Sequence, residues 1–131
     1  MLYTSTRDSS LKYSAAKCFV QGLSSEGGLF VPESFPQISL DEIAAMSEMS
    51  YSERAFKVLS RYLTDFSEGE LKDCIESAYG TKFDEMGVAP LHYVDDNTAV
   101  MELYHGPTLA FKDVALQIVP HFLKYAKKNN H

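Results

Sequence analysis

The sequence predicts an α/β chain: a largely helical region with short strands. Three patterns support this fold class: amphipathic helical repeats between residues 39 and 80, a β-rich N-terminal stretch, and an alternating hairpin pattern after Pro90. The 131 residues are 45% hydrophobic and 23% charged, which is typical of a globular protein with its own core. The net charge of −6 argues against nucleic acid or an anionic membrane as the main partner.

The first 36 residues predict two short strands and one helix. The stretch "LYTSTR" (2–7) alternates in hydrophobicity and is rich in β-forming residues. "YSAAKCFVQG" (13–22) has apolar residues at helical spacing from Tyr13 onward and ends near Gly22. A short apolar strand at Leu29–Val31 follows, and a loop bounded by prolines closes this part of the chain.

The middle of the chain carries repeated helix-start signals. Three serines are each followed three residues later by a glutamate: Ser39/Glu42, Ser50/Glu53 and Ser67/Glu70. In such a capping box the hydroxyl and the carboxylate satisfy backbone amides that the first helical turn leaves without partners. One-sided apolar patterns follow the second and third boxes, and Gly80 is the expected stop. We therefore expect a compact helical layer from about residue 39 to residue 80.

The segment after Pro90 predicts a β-hairpin followed by a helix. "PLHYV" (90–94) and "TAVMELY" (98–104) flank an Asp-Asp-Asn turn. Thr108 is the expected N-cap of a final helix, which Pro120 should kink or end early. The apolar residues of this helix wrap more than one face, so it belongs in an interior. Without a partner element, it should pair with another copy or stay mobile.

Cysteine, histidine and hydropathy patterns exclude several classes of protein. Cys18 and Cys74 fit neither a CxxC motif nor a disulfide framework, so we expect two reduced, buried thiols and a cytoplasmic protein. The four histidines have no ligand-like spacing, so no metal site is predicted. No signal-peptide pattern is present, and no apolar run is long enough to cross a membrane.

Lys112 lies in the predicted first turn of the final helix, where acidic side chains are normally favoured. Leu116, Val119 and Leu123 share its side of that helix, so the amine should lie along an apolar strip. Desolvation and the positive helix end both disfavour the ammonium form, and an unprotonated amine can attack an aldehyde. The alternative is a snorkelling surface lysine beside Asp113, which would complement the helix dipole. Spacing alone leaves both interpretations open.

Several segments resemble one enzyme family. "ELYHGPTLAFKD" (102–113) resembles the pyridoxal-phosphate lysine segment of the threonine synthases. "YTSTRD" (3–8) resembles their opening strand, and "QGLSSEGGLFVPESFP" (21–36) is similar to their glycine-containing LFVP segment. "SYSERAFKVLSRYL" and "ELKDCIESAY" match the helical stretch between them. Asp8, where the family more often has glycine, is a minor departure. The resemblance covers the whole chain.

The resemblance implies a fold-type II enzyme, a lyase of threonine biosynthesis, in which Lys112 is the catalytic residue and holds pyridoxal 5'-phosphate as an aldimine. The implied reaction converts O-phospho-L-homoserine and water to L-threonine and phosphate. His105 and Thr108 are candidates for orienting substrate or cofactor, with a structural role in the turn as the alternative for each. Phe111 is expected to pack in the core rather than to stack on the cofactor ring.

The resemblance also implies that most of the enzyme lies outside this sequence. Threonine synthases are several times longer, and their glycine-rich phosphate loop lies downstream; Gly27-Gly28 is interpreted as a turn. We expect residues 1–89 to form the family's N-terminal region and residues 90–131 to begin the cofactor-binding domain, as a truncated piece. Alone, the chain should be inactive, bind the cofactor weakly or only through nonspecific imines, and self-associate through its C-terminal helix.

Two other functions stay open. A threonine-synthase-like phospho-lyase would share this region but release phosphate without forming threonine. A non-enzymatic interaction module built on the helical layer would not depend on Lys112.

Overall fold

The computed structural model of the protein describes residues 1–84 and 86–129, within which it contains six helices and four short strands. In chain order they are β1 (Tyr3–Ser5), α1 (Ala15–Gln21), β2 (Phe30–Pro32), α2 (Leu40–Met46), α3 (Tyr51–Tyr62), α4 (Glu68–Tyr79), β3 (Leu91–Asp95), β4 (Thr98–Met101), α5 (Asp113–Leu116) and α6 (Val119–Asn129). The α/β fold class predicted from the sequence is confirmed.

The N-terminal part forms a small antiparallel sheet beside one helix. β1 pairs with β2, with Thr4 opposite Val31, so both predicted strands are present; β1 is shorter than its pattern, and β2 lies one residue later than predicted. α1 begins at Ala15 instead of Tyr13, because the Ser14 hydroxyl caps it by accepting from the Lys17 amide. The sheet and α1 thus form one side of the core.

The helical layer from residue 39 to residue 80 is confirmed. All three capping boxes are complete: each serine hydroxyl accepts from the glutamate amide, and each glutamate side chain accepts from the serine amide. Gly80 is the C-cap of α4, although it keeps right-handed helical dihedral angles. α2 buries no residue, whereas α4 buries Leu71, Cys74, Ile75 and Ala78. The capping boxes therefore locate the starts of these helices, whereas tertiary packing decides how many residues each helix buries.

Because α4 buries core residues and α2 buries none, the same substitution should have different effects in their two capping boxes. Ser67→Ala should lower the free energy of unfolding by about 1 kcal/mol, because the loss of the cap frays a helix that carries core residues. Ser39→Ala, the matched control, should cost less because the exposed helix α2 frays without opening the core. Urea unfolding followed by circular dichroism measures both. Equal losses would contradict the packing difference.

The core lies where α1, α4 and α6 meet. Its buried members are mostly small or aromatic: Ala15, Ala16, Leu63, Phe66, Leu71, Cys74, Ile75, Ala78, Ile118, Phe122 and Ala126. The Phe122 ring lies 5.1 Å from that of Phe19 and 5.8 Å from that of Phe66, measured between centroids. Of the two predicted buried thiols, Cys74 is fully buried and Cys18 only partly. Residues from both ends of the sequence therefore share one apolar centre.

The C-terminal part differs from its pattern in one respect. The hairpin is confirmed, with His92 opposite Val100, and every residue of both strands is exposed. The predicted start of the final helix at Thr108 is wrong, because α5 begins at Asp113; a turn at 117–118, just before the kink or early end expected at Pro120, divides the predicted helix into α5 and α6. Pro120 lies in the first turn of α6, where a missing amide hydrogen costs least. The apolar residues of α6 face the core, so this helix is covered within the chain.

Candidate active-site loop

Residues 102–112, named here the lysine loop, connect the end of β4 to the start of α5. The loop turns at Gly106 and Pro107, and the amide of Leu109 donates to the carbonyl oxygen of Gly106 at 3.1 Å. The Tyr79 hydroxyl donates to the Val114 carbonyl oxygen at 2.8 Å and fixes α5 against α4. The loop is thus held between a hairpin on one side and a helix docked on the core on the other.

Lys112 occupies the N-cap position of α5, with φ −63° and ψ −22°, and its side chain is exposed. The predicted placement along an apolar strip is wrong. Because α5 ends at Leu116, Val119 and Leu123 belong to another helix and do not continue the same face. Leu116 itself is 54% exposed. The residues of this chain therefore leave the Lys112 amine in water.

The apolar residues around Lys112 are also exposed. Phe111, predicted to pack in the core, is 66% exposed, and this prediction is wrong. Leu109 is 74% exposed. Both residues lie in the bends and turns before α5, outside any helix, and both side chains are exposed. The lysine is therefore flanked by uncovered apolar surface.

His105 is buried between two carboxylates. Its Nδ1 lies 2.7 Å from an oxygen of Asp84, and its Nε2 lies 2.8 Å from an oxygen of Glu102. The hydrogen bonds to Asp84 and Glu102 raise the pKa of His105, and the hydrogen bond from His105 lowers the pKa of each carboxyl group. Both ring nitrogens therefore lie against carboxylate oxygens, and the ring fastens the loop between Asp84 and Glu102.

This clamp predicts a stability optimum in pH. The pKa of His105 is raised above 6.5, so its stabilisation is complete below pH 6.5 and is lost as the pH rises through the higher folded-state value. The pKa values of the Asp84 and Glu102 carboxyl groups are lowered from 3.8 and 4.5. The stabilisation that these groups contribute is therefore present above pH 3.8 and pH 4.5, respectively, and is lost on acidification. Stability should thus be highest between those limits. Urea midpoints from pH 4 to 9 should decline at the alkaline end for the unmodified chain but much less for His105→Asn. The exposed His92→Asn variant is the control, and parallel curves for all three proteins would contradict the clamp.

Thr108 does not cap α5. Its amide and its hydroxyl both donate to Oδ2 of Asp113, at 2.7 and 2.9 Å. Gln117 donates to the other carboxylate oxygen at 3.0 Å. Asp113 is only 2% exposed. Burial alone would raise the pKa of the Asp113 carboxyl, but the hydrogen bonds from Thr108 and Gln117 keep it below its ordinary value.

From the sequence, Asp113 was expected only to complement the helix dipole, and Gly106 was given no role. A Cβ at Gly106 would lie 2.5 Å from Cβ of Asp113, so only glycine fits this approach. The sequence feature that could have indicated this anchor is a threonine, Thr108, five residues before an acidic residue in the first turn of a helix. Asp113 thus joins His105 and Thr108 as an internal anchor of the lysine loop.

The described residues fit part of a pyridoxal-phosphate site. Within residues 1–84 and 86–129, the Lys112 amine has no ion-pair partner, so it is accessible to an aldehyde. Gly27-Gly28 forms a turn, as predicted: a Cβ at Gly28 would lie 2.0 Å from the hydroxyl oxygen of Ser5, so this pair is packed and offers no open phosphate cradle. In the same described ranges, no group of three His, Cys, Asp or Glu side chains could hold a metal ion. None of the helices in them has the length and apolar character needed to span a membrane.

Comparison with known proteins extends these observations. A family model described as threonine synthase N terminus matches residues 2–79. The threonine synthase of Pseudomonas aeruginosa is 40% identical over 126 residues, which are 95% of this chain and 27% of that enzyme. Mouse threonine synthase-like 1 is 41% identical over 113 residues, 84% of this chain and 15% of that protein.

A solved structure shows the same fold. The crystal structure of PLP-bound threonine synthase from Brucella melitensis matches with a TM-score of 0.91 and 36% identity, over 99% of this chain and 28% of that one. The chain thus spans about a quarter of the length of the threonine synthases it matches. With more than half of its residues matched by the family model and nearly all of them matched by these relatives, the chain belongs to the threonine synthase N-terminus family.

Proposed function

We propose that this chain supplies the N-terminal part of a threonine synthase and that Lys112 is its cofactor-binding and catalytic residue. The reaction is the conversion of O-phospho-L-homoserine and water to L-threonine and phosphate. The family match supports the assignment, and the single observation that carries the role of Lys112 is its exposed amine, which has no ion-pair partner in the described residues and stands on an anchored loop.

The residues of this chain would divide the work as follows. Pyridoxal phosphate, when bound, supplies an electron sink for carbanions next to the substrate nitrogen. The Lys112 amine would hold the cofactor, and as a free amine it would carry protons between the α-carbon of the substrate and the neighbouring carbons. His105 and Thr108 act indirectly, because their polar atoms bind Glu102, Asp84 and Asp113 and so hold the loop that presents the amine.

The isolated chain should make no threonine and should bind pyridoxal phosphate weakly. The water-exposed amine and the absence of an open phosphate cradle at Gly27-Gly28 support this. Residues 1–89 as the N-terminal region and residues 90–131 as the start of the cofactor domain remain part of the proposal; residues 130–131 lie outside the described residues. α6 of the second segment packs against α1 of the first, so the two would be joined through a common core.

A chimera tests the assignment. This chain would replace the matching N-terminal segment of the Pseudomonas aeruginosa threonine synthase, and threonine would be measured after addition of O-phospho-L-homoserine. We expect threonine from the chimera and none from the isolated chain. Borohydride reduction of the chimera in pyridoxal phosphate should fix the label on Lys112, whereas the isolated chain, which binds the cofactor weakly, should carry label without preference among its nine lysines. Label spread evenly over the lysines of the chimera, or threonine formation by the isolated chain, would overturn the proposal.

The second candidate function is a threonine-synthase-like phospho-lyase. The chain is 41% identical to mouse threonine synthase-like 1 and 40% identical to the bacterial threonine synthase. Since the two identities are nearly equal, identity alone does not separate the two functions. A second chimera, built on the mouse protein, would separate the two. Phosphate release without threonine in the mouse chimera, together with an inactive bacterial chimera, would favour the phospho-lyase.

Location and self-association are part of the same proposal. We propose a reducing compartment such as the cytoplasm, because both cysteines are free. Burial raises the pKa of both thiols to about 11, so both are weak nucleophiles. Self-association was predicted through the C-terminal helix, but the apolar residues of α6 face the core. We place the contact instead on the uncovered apolar side chains of the hairpin and the lysine loop, such as Tyr93, Val94 and Phe111.

A further inference from the structure

The Asp113 carboxylate is the central anchor of the lysine loop. It accepts three hydrogen bonds, two from Thr108 and one from Gln117, and so ties the middle of the loop to the start of α5 and to its C-cap residue, Gln117. It is buried, and the backbone of Gly106 packs directly on its Cβ. A carboxylate supplies the acceptors that this arrangement needs, since one oxygen receives two donors while the other receives a third.

The segment that Asp113 holds is strained. Leu109 has φ 57°, the only positive φ of a non-glycine residue within residues 1–84 and 86–129, and it lies three residues before Lys112. This conformation is unfavourable for a side chain with a Cβ and persists only where the surroundings enforce it. The Leu109 side chain is largely exposed, so its own packing does not enforce it. The two hydrogen bonds from Thr108 to Asp113 hold it, together with the hydrogen bond from the Leu109 amide to the Gly106 carbonyl oxygen.

We propose that Asp113 is a positioning residue for Lys112: by fixing Thr108 it holds the strained turn at Leu109, and this turn sets where the lysine amine stands. The inference rests on the proposed function, in which Lys112 binds the cofactor. It assigns to Asp113 a role that acts through the loop, without contact to substrate or cofactor. A carboxylate whose only function was to complement the helix dipole would not need its hydrogen bonds to Thr108.

The test uses the bacterial chimera described above, which carries all 131 residues of this chain, and two variants of the Asp113 side chain. Asp113→Ala removes the anchor. Asp113→Asn keeps an oxygen for Thr108, and its new amide group can donate to Gln117 once the Gln117 side-chain amide turns its oxygen toward it. The control is Asp96→Ala, at an exposed position of the hairpin turn. Circular dichroism establishes that each variant is folded before the two readouts are taken.

The first readout is amide hydrogen exchange at Thr108, which requires no cofactor. Because hydrogen bonds to a charged group are among the strong ones, we expect exchange about tenfold or more faster in Asp113→Ala, and a smaller increase in Asp113→Asn, whose neutral amide oxygen still accepts from Thr108. The second readout is the share of borohydride-fixed pyridoxal phosphate on Lys112. That share should fall to an even distribution among the lysines in Asp113→Ala and persist in Asp113→Asn and Asp96→Ala.

A second substitution separates positioning from general support of the fold. Leu109→Gly removes the conformational penalty at the positive φ, so adding it to Asp113→Ala should restore part of the Lys112 label. A purely structural loss would not be rescued in this way. Should Asp113→Ala fail to fold, Thr108→Val replaces it and Thr108→Ser serves as its conservative partner.

The outcomes are distinct. A preference for Lys112 that is lost in Asp113→Ala and regained with Leu109→Gly supports the inference. A preference that survives Asp113→Ala, with unchanged exchange at Thr108, overturns the role of Asp113 and leaves the proposed function intact. An unmodified chimera with no preference for Lys112 overturns the proposed function and the positioning role together.

Discussion

Replacing Lys112 by alanine is expected to lower threonine formation by the bacterial chimera by about 10²- to 10⁴-fold, the usual contribution of a positioned proton-transfer group. The reason is that Lys112 carries two tasks, holding the cofactor and moving protons, and no other residue of the lysine loop has an amine. Steady-state rates with O-phospho-L-homoserine measure the loss, and borohydride reduction followed by peptide mapping measures the cofactor that remains attached.

Two variants make this result specific. Lys57→Ala changes an exposed lysine of α3 and should leave the rate unchanged. Lys112→Arg keeps the positive charge but provides no amine for imine formation, so it should be as inactive as the alanine variant. A chimera that retains most of its rate with alanine at position 112 would rule out the catalytic role and return the interaction-module hypothesis to first place.

The second large effect concerns the core. Phe122→Ala should lower the free energy of unfolding by about 3–5 kcal/mol, the range for a buried aromatic side chain replaced by alanine. Phe122 is 4% exposed and contacts the rings of Phe19 and Phe66, so its removal leaves a cavity where α6 meets α1. Small domains have a total stability of about 5–15 kcal/mol, so the variant should be partly unfolded near body temperature.

Phe35→Ala is the matched control for this experiment. Phe35 is 72% exposed, so its loss should change stability by less than about 0.5 kcal/mol. Urea unfolding at constant pH gives both values, and an unchanged dependence on urea concentration shows that the same structure unfolds. A loss below 1 kcal/mol at Phe122 would mean that α6 is not part of the cooperative core.

Much of the fold could be predicted from short stretches of sequence. The boxes beginning at Ser39, Ser50 and Ser67 located three helices within a residue, because a cap and its partner lie three residues apart and need nothing else. The hairpin around Asp95–Asn97 was found for the same reason. These features depend on neighbours along the chain, and such neighbours are visible in a sequence.

The surroundings of the lysine loop could not be predicted from such local patterns. Apolar spacing from Val114 to Ala126 suggested one helix, kinked or ended early at Pro120, and the turn at 117–118 divides it into two. The apolar strip expected beside Lys112 nevertheless continued one helical face past this point to Val119 and Leu123, and Phe111 was expected in the core; neither placement holds. The anchoring of His105 by Asp84, 21 residues earlier, has no local pattern at all.

The sequence by itself determined the family, the helical layer and the identity of the candidate lysine, because motifs and caps are encoded in residues close together in the chain. Only the tertiary structure decided the surroundings of that lysine: that its amine stands in water, that a buried carboxylate one residue later anchors its loop, and that α6 closes the core. These depend on contacts between distant residues, and the free energy of burying a side chain is settled only when the elements pack.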